Sequence, residues 1–141
     1  MAYDENNVFA KMLRGEIPCH KLYEDENTLA FLDIMPRSEG HTLVITKEKS
    51  RDLFDISPEA LAKLMTVVQT LAPKIQKAVG ADGVLIQQFN GAAAGQTVFH
   101  LHVHIMPRKE GEPLKPHAGK MEDQAKLAAT ADKIRKTLPS A

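Results

Sequence analysis

Cysteine is almost absent, with Cys19 the one thiol in 141 residues. That excludes an internal disulfide framework and a zinc site built of cysteines alone, and it fits a reducing compartment with an inert thiol. Excess charge of one sign is also missing. Lys+Arg and Asp+Glu balance at 18 each, so no net field draws the chain to nucleic acid or an anionic membrane, and an anionic ligand must be held by local groups. No stretch approaches the ~20 apolar residues of a membrane span. The opening Met1-Ala2-Tyr3-Asp4-Glu5-Asn6-Asn7 has neither the basic nor the apolar region of a leader. The expectation is a cytoplasmic protein with no nucleic-acid or membrane partner. Repeats and low-complexity tracts are lacking too, and 43% hydrophobic content at this length suits one domain with its own core.

Helical and strand patterns alternate along the chain. Asn7 caps a short helix carrying Val8, Phe9, Met12 and Leu13, which stops at Gly15 and Pro18. Leu22 to Glu24 and Thr28 to Asp33 flank the polar turn Asp25-Glu26-Asn27 as a hairpin. His41 to Thr46 is a third, β-branched strand. Ser57-Pro58-Glu59 starts a long helix with an N-cap hydroxyl, a proline at the first helical position and an acid near the positive dipole end. Its apolar stripe runs from Leu61 to Val79, and Pro73 is expected to kink or split it near Leu71. Gly80 and Gly83 end the helix, Val84 to Asn90 is a strand, and Gly91 to Gly95 is a loop. Pro107 is expected to close the strand that follows. Lys109 to Gly119 reads as a mobile, turn-rich segment, and Leu127, Ala131, Ile134 and Leu138 mark a C-terminal helix. The fold class is α+β, mostly antiparallel, with one sheet and a long covering helix.

The chemistry concentrates in Phe99-His100-Leu101-His102-Val103-His104-Ile105-Met106. A strand alternates its faces, so His100, His102 and His104 line one face while the apolar residues enter the core on the other. Three polar positions on a half-exposed strand are the bland alternative. A metal site is another, but at ~3.4 Å per residue His100 and His104 lie about 13 Å apart, so at most two of the row can reach one ion at ~2 Å. His41 is the candidate for a further ligand. The third alternative is a catalytic surface, in which a neutral imidazole attacks phosphorus and splits one displacement into two. His102 is then best placed, with one neighbour to orient it and one to contact the phosphate or leaving group. The glycines of Gly91 to Gly95 with Gln96 and Thr97 compose a phosphate cradle, or simply a hairpin loop. It lacks the Gly-Lys-Ser/Thr ending of a P-loop. Asn90 either donates to the same phosphate or caps the turn.

These residues resemble the histidine triad superfamily, whose motif His-φ-His-φ-His-φ-φ is matched at every position by His100 to Met106. Gly15 to Pro18, Ala30 to Ile34, Gly40 to Ile45, Gly80 to Gly83, Asn90-Gly91 and Ala94 to Phe99 are similar to segments of small bacterial members related to the Hint and fragile histidine triad branches. The resemblance implies one domain over residues 1–141, with a core at about 8–108 and a turn-rich tail and C-terminal helix over 109–141. It further implies a five-stranded antiparallel sheet, a homodimer, and a purine nucleotide bound over the histidine strand. By the family pattern His102 is the nucleophile on the α-phosphorus, His104 contacts the phosphate or departing group, and His100 orients His102 through its backbone carbonyl. His41 is then the fourth histidine behind the row, where the residue alone reads as a polar strand start. Asp33 accepts from ribose hydroxyls, or is a turn carboxylate, and Ile34 lies around the purine. Asn90, Gly95, Gln96 and Thr97 serve the phosphate side. No cofactor and no metal are carried over, because the Cys-x-x-Cys of zinc-binding relatives is replaced by Asn7 and Ala10. The tail, including His117, matches no motif.

The expected activity is hydrolysis or nucleotidyl transfer at purine nucleoside phosphoramidates or acyl adenylates, through a nucleotidyl-histidine. Cleavage of dinucleoside polyphosphates is the alternative, since Met106 to Lys109 also resembles that branch. A nucleotide-binding scaffold with incidental turnover is a second alternative and a metalloprotein a third.

Overall fold

The computed structural model describes residues 2–116 and 119–138, so His117 lies outside the described residues. Helix α1 spans Val8–Leu13, strands β1 Lys21–Glu24, β2 Thr28–Leu32 and β3 Thr42–Thr46, and helix α2 Pro58–Val79. Strand β4 is Gly83–Gln87, a 3-10 turn is Ala92–Ala94, strand β5 is His102–Arg108 and helix α3 is Gln124–Arg135. The strands form one antiparallel sheet in the order β1-β2-β3-β5-β4. This is the expected α+β architecture.

The helix boundaries follow local chemistry. Asn7 accepts from the N–H of Ala10 to cap α1, and Ser57 accepts from Ala60 to cap α2, with Pro58 at its first position. Gly80 ends α2 at φ 68°, a left-handed conformation that costs glycine nothing. Pro73 does not split α2. Leu71 and Ile75 on either side of it are 1% and 0% exposed, so packing on the sheet holds both turns in one helix although the bond from residue 73 to Gln69 is missing.

The sheet is covered on both faces, which is why β2 and β3 are buried throughout. On one face Ala30, Leu32, Val44, Val103 and Ile105 meet Leu64, Leu71 and Ile75 of α2 and Leu127, Ala131 and Ile134 of α3. Each fully buried leucine or isoleucine there stabilises the fold by about 1.5–3 kcal/mol. On the other face Leu29, Phe31, Leu43 and Ile45 meet Phe9 of α1. That second face carries the histidines.

Strand β4 stops at Gln87 rather than reaching Asn90, and the histidine strand differs from expectation at both ends. The histidine strand begins at His102 rather than ahead of His100, because the Leu101 N–H goes to the Ser50 carbonyl, 2.8 Å away, and leaves the ladder. Nor does Pro107 close it, since β5 continues to Arg108 and Pro107 pairs with Val84. The β3 ladder ends at the Thr42–Ile105 pair, so beyond it Pro107 has a strand neighbour on one side only. Between β5 and α3 the described residues form no helix or strand but are tied down. Arg37 and Lys115 exchange two hydrogen bonds of 2.9 Å, and the Glu122 N–H donates to Ile34 at 2.8 Å. The tail therefore straps the loop after β2 from outside.

Candidate active site

Register fixes the row. His102 pairs with Ile45 and His104 with Leu43, so both rings stand on the α1 side of the sheet. Phe9 packs edge-on against His102 at 4.9 Å between centroids, and the His102 and His104 rings are 5.1 Å apart. His41, His100, His102 and His104 are 1%, 0%, 7% and 4% exposed, which removes the reading of surface polar positions.

The proton positions follow from the partners, because a backbone carbonyl only accepts and a backbone N–H only donates. His102 Nδ1 lies 2.6 Å from the His100 carbonyl and therefore carries a proton, which leaves the lone pair on Nε2. His100 donates from Nε2 to the Thr46 carbonyl at 2.7 Å, and its Nδ1 faces the Tyr3 hydroxyl at 2.5 Å. Burial holds the His100 pKa below its ordinary value, and the bond to Thr46 opposes this only in part. His41 Nδ1 accepts from the Arg37 N–H at 3.1 Å, so His41 is protonated on Nε2 and donates to His104 Nδ1 at 2.9 Å. The proton of His104 is thereby on Nε2. Two neighbouring rings thus carry opposite functions at Nε2, a lone pair on His102 and a donor on His104.

A cavity of about 200 Å³ lies over these rings. Val8, Phe9 and Met12 wall it from α1, Phe31 and Leu43 from the sheet, and Asp33, Ile34, Met35 and Arg37 from the loop after β2. Thr97, Val98, His102 and His104 close the other end. The lining is mostly apolar with a few polar and charged groups, the composition of a small-molecule site. Asp33 accepts from the Met35 N–H at 2.8 Å, and its second oxygen is 3.7 Å from His41 Nε2. Cys19 also lines the cavity, and burial pushes its thiol up, so it stays protonated.

Of the residues singled out in the sequence, Asp33, Ile34, Thr97, His102 and His104 meet in this cavity. His100 and His41 stand behind His102 and His104. Asn90, Gly95 and Gln96 are not in the lining. The Asn90 side-chain Oδ1 accepts from the Leu53 N–H, and the Gln96 side chain accepts from the Gly91 N–H while donating to the Arg51 and Val98 carbonyls. The N–H groups of Gly91, Ala94, Gly95 and Gln96 are bonded within the loop itself. These residues hold the shape of the loop that presents Thr97. Sequence reasoning missed the backbone anchors at Thr46 and Arg37, for which no residue type gives a signal. It also missed the contact of Phe9 with His102, visible only as one apolar position in a helical stripe.

A family model of the HIT domain matches residues 14–111. The chain belongs to the HIT family. A Hit-like protein from Bartonella henselae is similar in structure, with TM-score 0.93 and 48% identity over 98% of this chain and 100% of that one. An adenylylsulfatase of Arabidopsis thaliana is 43% identical over 124 residues, covering 84% of this chain and 63% of the plant protein. An adenosine 5'-monophosphoramidase of Schizosaccharomyces pombe is 42% identical over 105 residues, 74% of this chain and 76% of its own length. This HIT chain thus spans less than two thirds of the plant relative.

Zinc does not fit the N-terminal positions, where the Asn7 amide caps α1 and Ala10 has no ligand atom. Asp33, His41 and His104 offer donor atoms within 4.8 Å of one another. An ion on His41 Nε2 would have to take the place of its proton while Nδ1 still accepts from Arg37, leaving an imidazolate. Their hydrogen bonding therefore opposes a metal in this arrangement.

Proposed function

We propose that this HIT chain is a nucleotide-binding hydrolase that attacks the α-phosphorus of purine nucleoside phosphoramidates or acyl adenylates through a nucleotidyl-histidine. The observation that carries the reading is the His102 Nδ1–H on the His100 carbonyl, which leaves the lone pair on Nε2 of a ring lining the cavity. Attack forms a bond from Nε2 to phosphorus, and the bond to the departing group breaks with its electron pair, an amine taking its proton from solvent. The His100 carbonyl stabilises the positive charge that develops on the His102 ring. His104 donates from Nε2 to a phosphoryl oxygen, the charge-stabilising part of the reaction. Water then attacks phosphorus, its proton passes to solvent, and the electron pair returns to Nε2.

Asp33 accepts from the sugar hydroxyls, and Ile34 with the apolar wall holds the purine. Thr97 serves the phosphate side on a loop shaped by Asn90, Gly95 and Gln96. His41 keeps His104 in its donor form. The single domain acts as a homodimer and needs no cofactor. The names of the plant and yeast relatives, which act on adenylyl compounds, support this substrate class.

Incubation with an adenosine phosphoramidate, an acyl adenylate and a diadenosine polyphosphate, each with and without chelator, tests the reading. Turnover of the first two is expected, unaffected by chelator. His102→Ala should abolish turnover while nucleotide binding persists, and Asp33→Ala should chiefly weaken binding. Preference for the polyphosphate would favour the other branch of the family. Near-normal rates with His102→Ala would remove the covalent mechanism.

A further inference from the structure

His100 occupies an odd place for a residue that aims another. Its carbonyl orients the His102 ring, yet it precedes β5 and lies outside the sheet ladder. The peptide that follows is held by Leu101 donating to Ser50. The His100 side chain supplies two further anchors. One ring nitrogen donates to Thr46, and the other meets the hydroxyl of Tyr3, a residue 97 positions away in sequence.

The direction of that second bond is determined. Because Nε2 donates to a carbonyl, Nδ1 holds the lone pair, and the Tyr3 O–H must donate to it. The two rings also meet edge-on, 5.6 Å between centroids. The arm bearing Tyr3 is docked. The Asp4 carbonyl accepts from the backbone and side chain of Asn7, Arg14 donates to the Glu5 carbonyl at 2.8 Å, and Lys49 pairs with the Glu5 carboxylate. Tyr3 lies outside residues 14–111 that match the HIT domain, on the arm that precedes α1.

We propose that Tyr3 is a positioning residue for the nucleophile: its hydroxyl locks the buried His100 ring, and His100 in turn aims His102 through its carbonyl. The inference rests on the reading of His102 as nucleophile. Without the hydroxyl, Nδ1 of a fully buried ring loses its donor, and an unmatched buried acceptor moves or admits water. The carbonyl of the same residue moves with it. Substrate contacts are untouched, because neither Tyr3 nor His100 lines the cavity. The effect therefore falls on the chemical step.

Tyr3→Phe keeps the ring and removes only the hydroxyl. The expected result is a kcat about tenfold lower on an adenosine phosphoramidate, the scale of one lost hydrogen bond, with KM unchanged. The nitrogen resonance of His102 Nδ1 in a labelled sample should shift as its bond to the His100 carbonyl weakens. A merely structural role would lower the melting temperature and move neither kcat per folded molecule nor that resonance, and this outcome would overturn the inference. His102→Ala run in parallel separates the two readings. If it is inactive and Tyr3→Phe behaves as the unsubstituted protein, only the role of Tyr3 falls. If His102→Ala still turns over, the nucleophile assignment itself falls.

Discussion

His100 is 0% exposed, donates to the Thr46 carbonyl, and has its pKa held down by burial. On unfolding it regains an ordinary value of about 6.5, so below that pH the unfolded chain binds a proton that the folded chain refuses. The sign follows: this contribution to stability is complete above about pH 6.5 and is lost as pH falls below it. Carboxylates such as Glu48, held below their ordinary 4.5 chiefly by the Ser57 N–H, act in a lower window. Melting temperatures between pH 7.5 and pH 5 should therefore decline, and His100→Gln should flatten that decline. An unchanged slope in the variant would place the titrating group elsewhere. At this scale the histidines were legible because alternation is a one-dimensional pattern. Their protonation was not, since it is set by the carbonyls of Thr46 and His100 and the N–H of Arg37, and every residue has such groups.

Among the elements, α1, α2 and the β1–β2 hairpin were readable because caps and turns are local: Asn7, Ser57-Pro58 and Gly80 each act within one turn of themselves. The start of β5 was not readable, because it depends on Ser50, far away in sequence, taking the Leu101 N–H. The continuity of α2 through Pro73 likewise depends on the sheet beneath it. The turn into β3 has its own requirement. Gly40 has φ 86°, and a Cβ there would come 3.0 Å from Val79 and 3.3 Å from Pro107. Gly40→Ala should cost about 1–2 kcal/mol from the backbone alone, seen as a Tm lower by about 4–8 °C at roughly 4 °C per kcal/mol. Because His41 follows directly, turnover should fall as well. Calorimetry with unchanged Tm would mean the turn relaxes at no cost.

For the whole molecule, the sheet order leaves β4 as an edge strand. Ile86 on that strand is 40% exposed, an apolar side chain on an open sheet edge of the kind that proteins cover. The proposed homodimer places its contact there. Sedimentation should give twice the mass of one chain, and Ile86→Glu should shift it toward a single chain; a monomer before substitution would refute the dimer. The tail strapped on the loop from Ile34 to Arg37 had no motif to announce it, since it is held through backbone groups. The central claim, that turnover passes through His102 Nε2, is tested most directly by stereochemistry at phosphorus. A nucleoside phosphoramidothioate of one configuration would be hydrolysed in oxygen-labelled water. Two successive displacements predict net retention of configuration. Net inversion would mean that water attacks phosphorus directly, and would contradict the account.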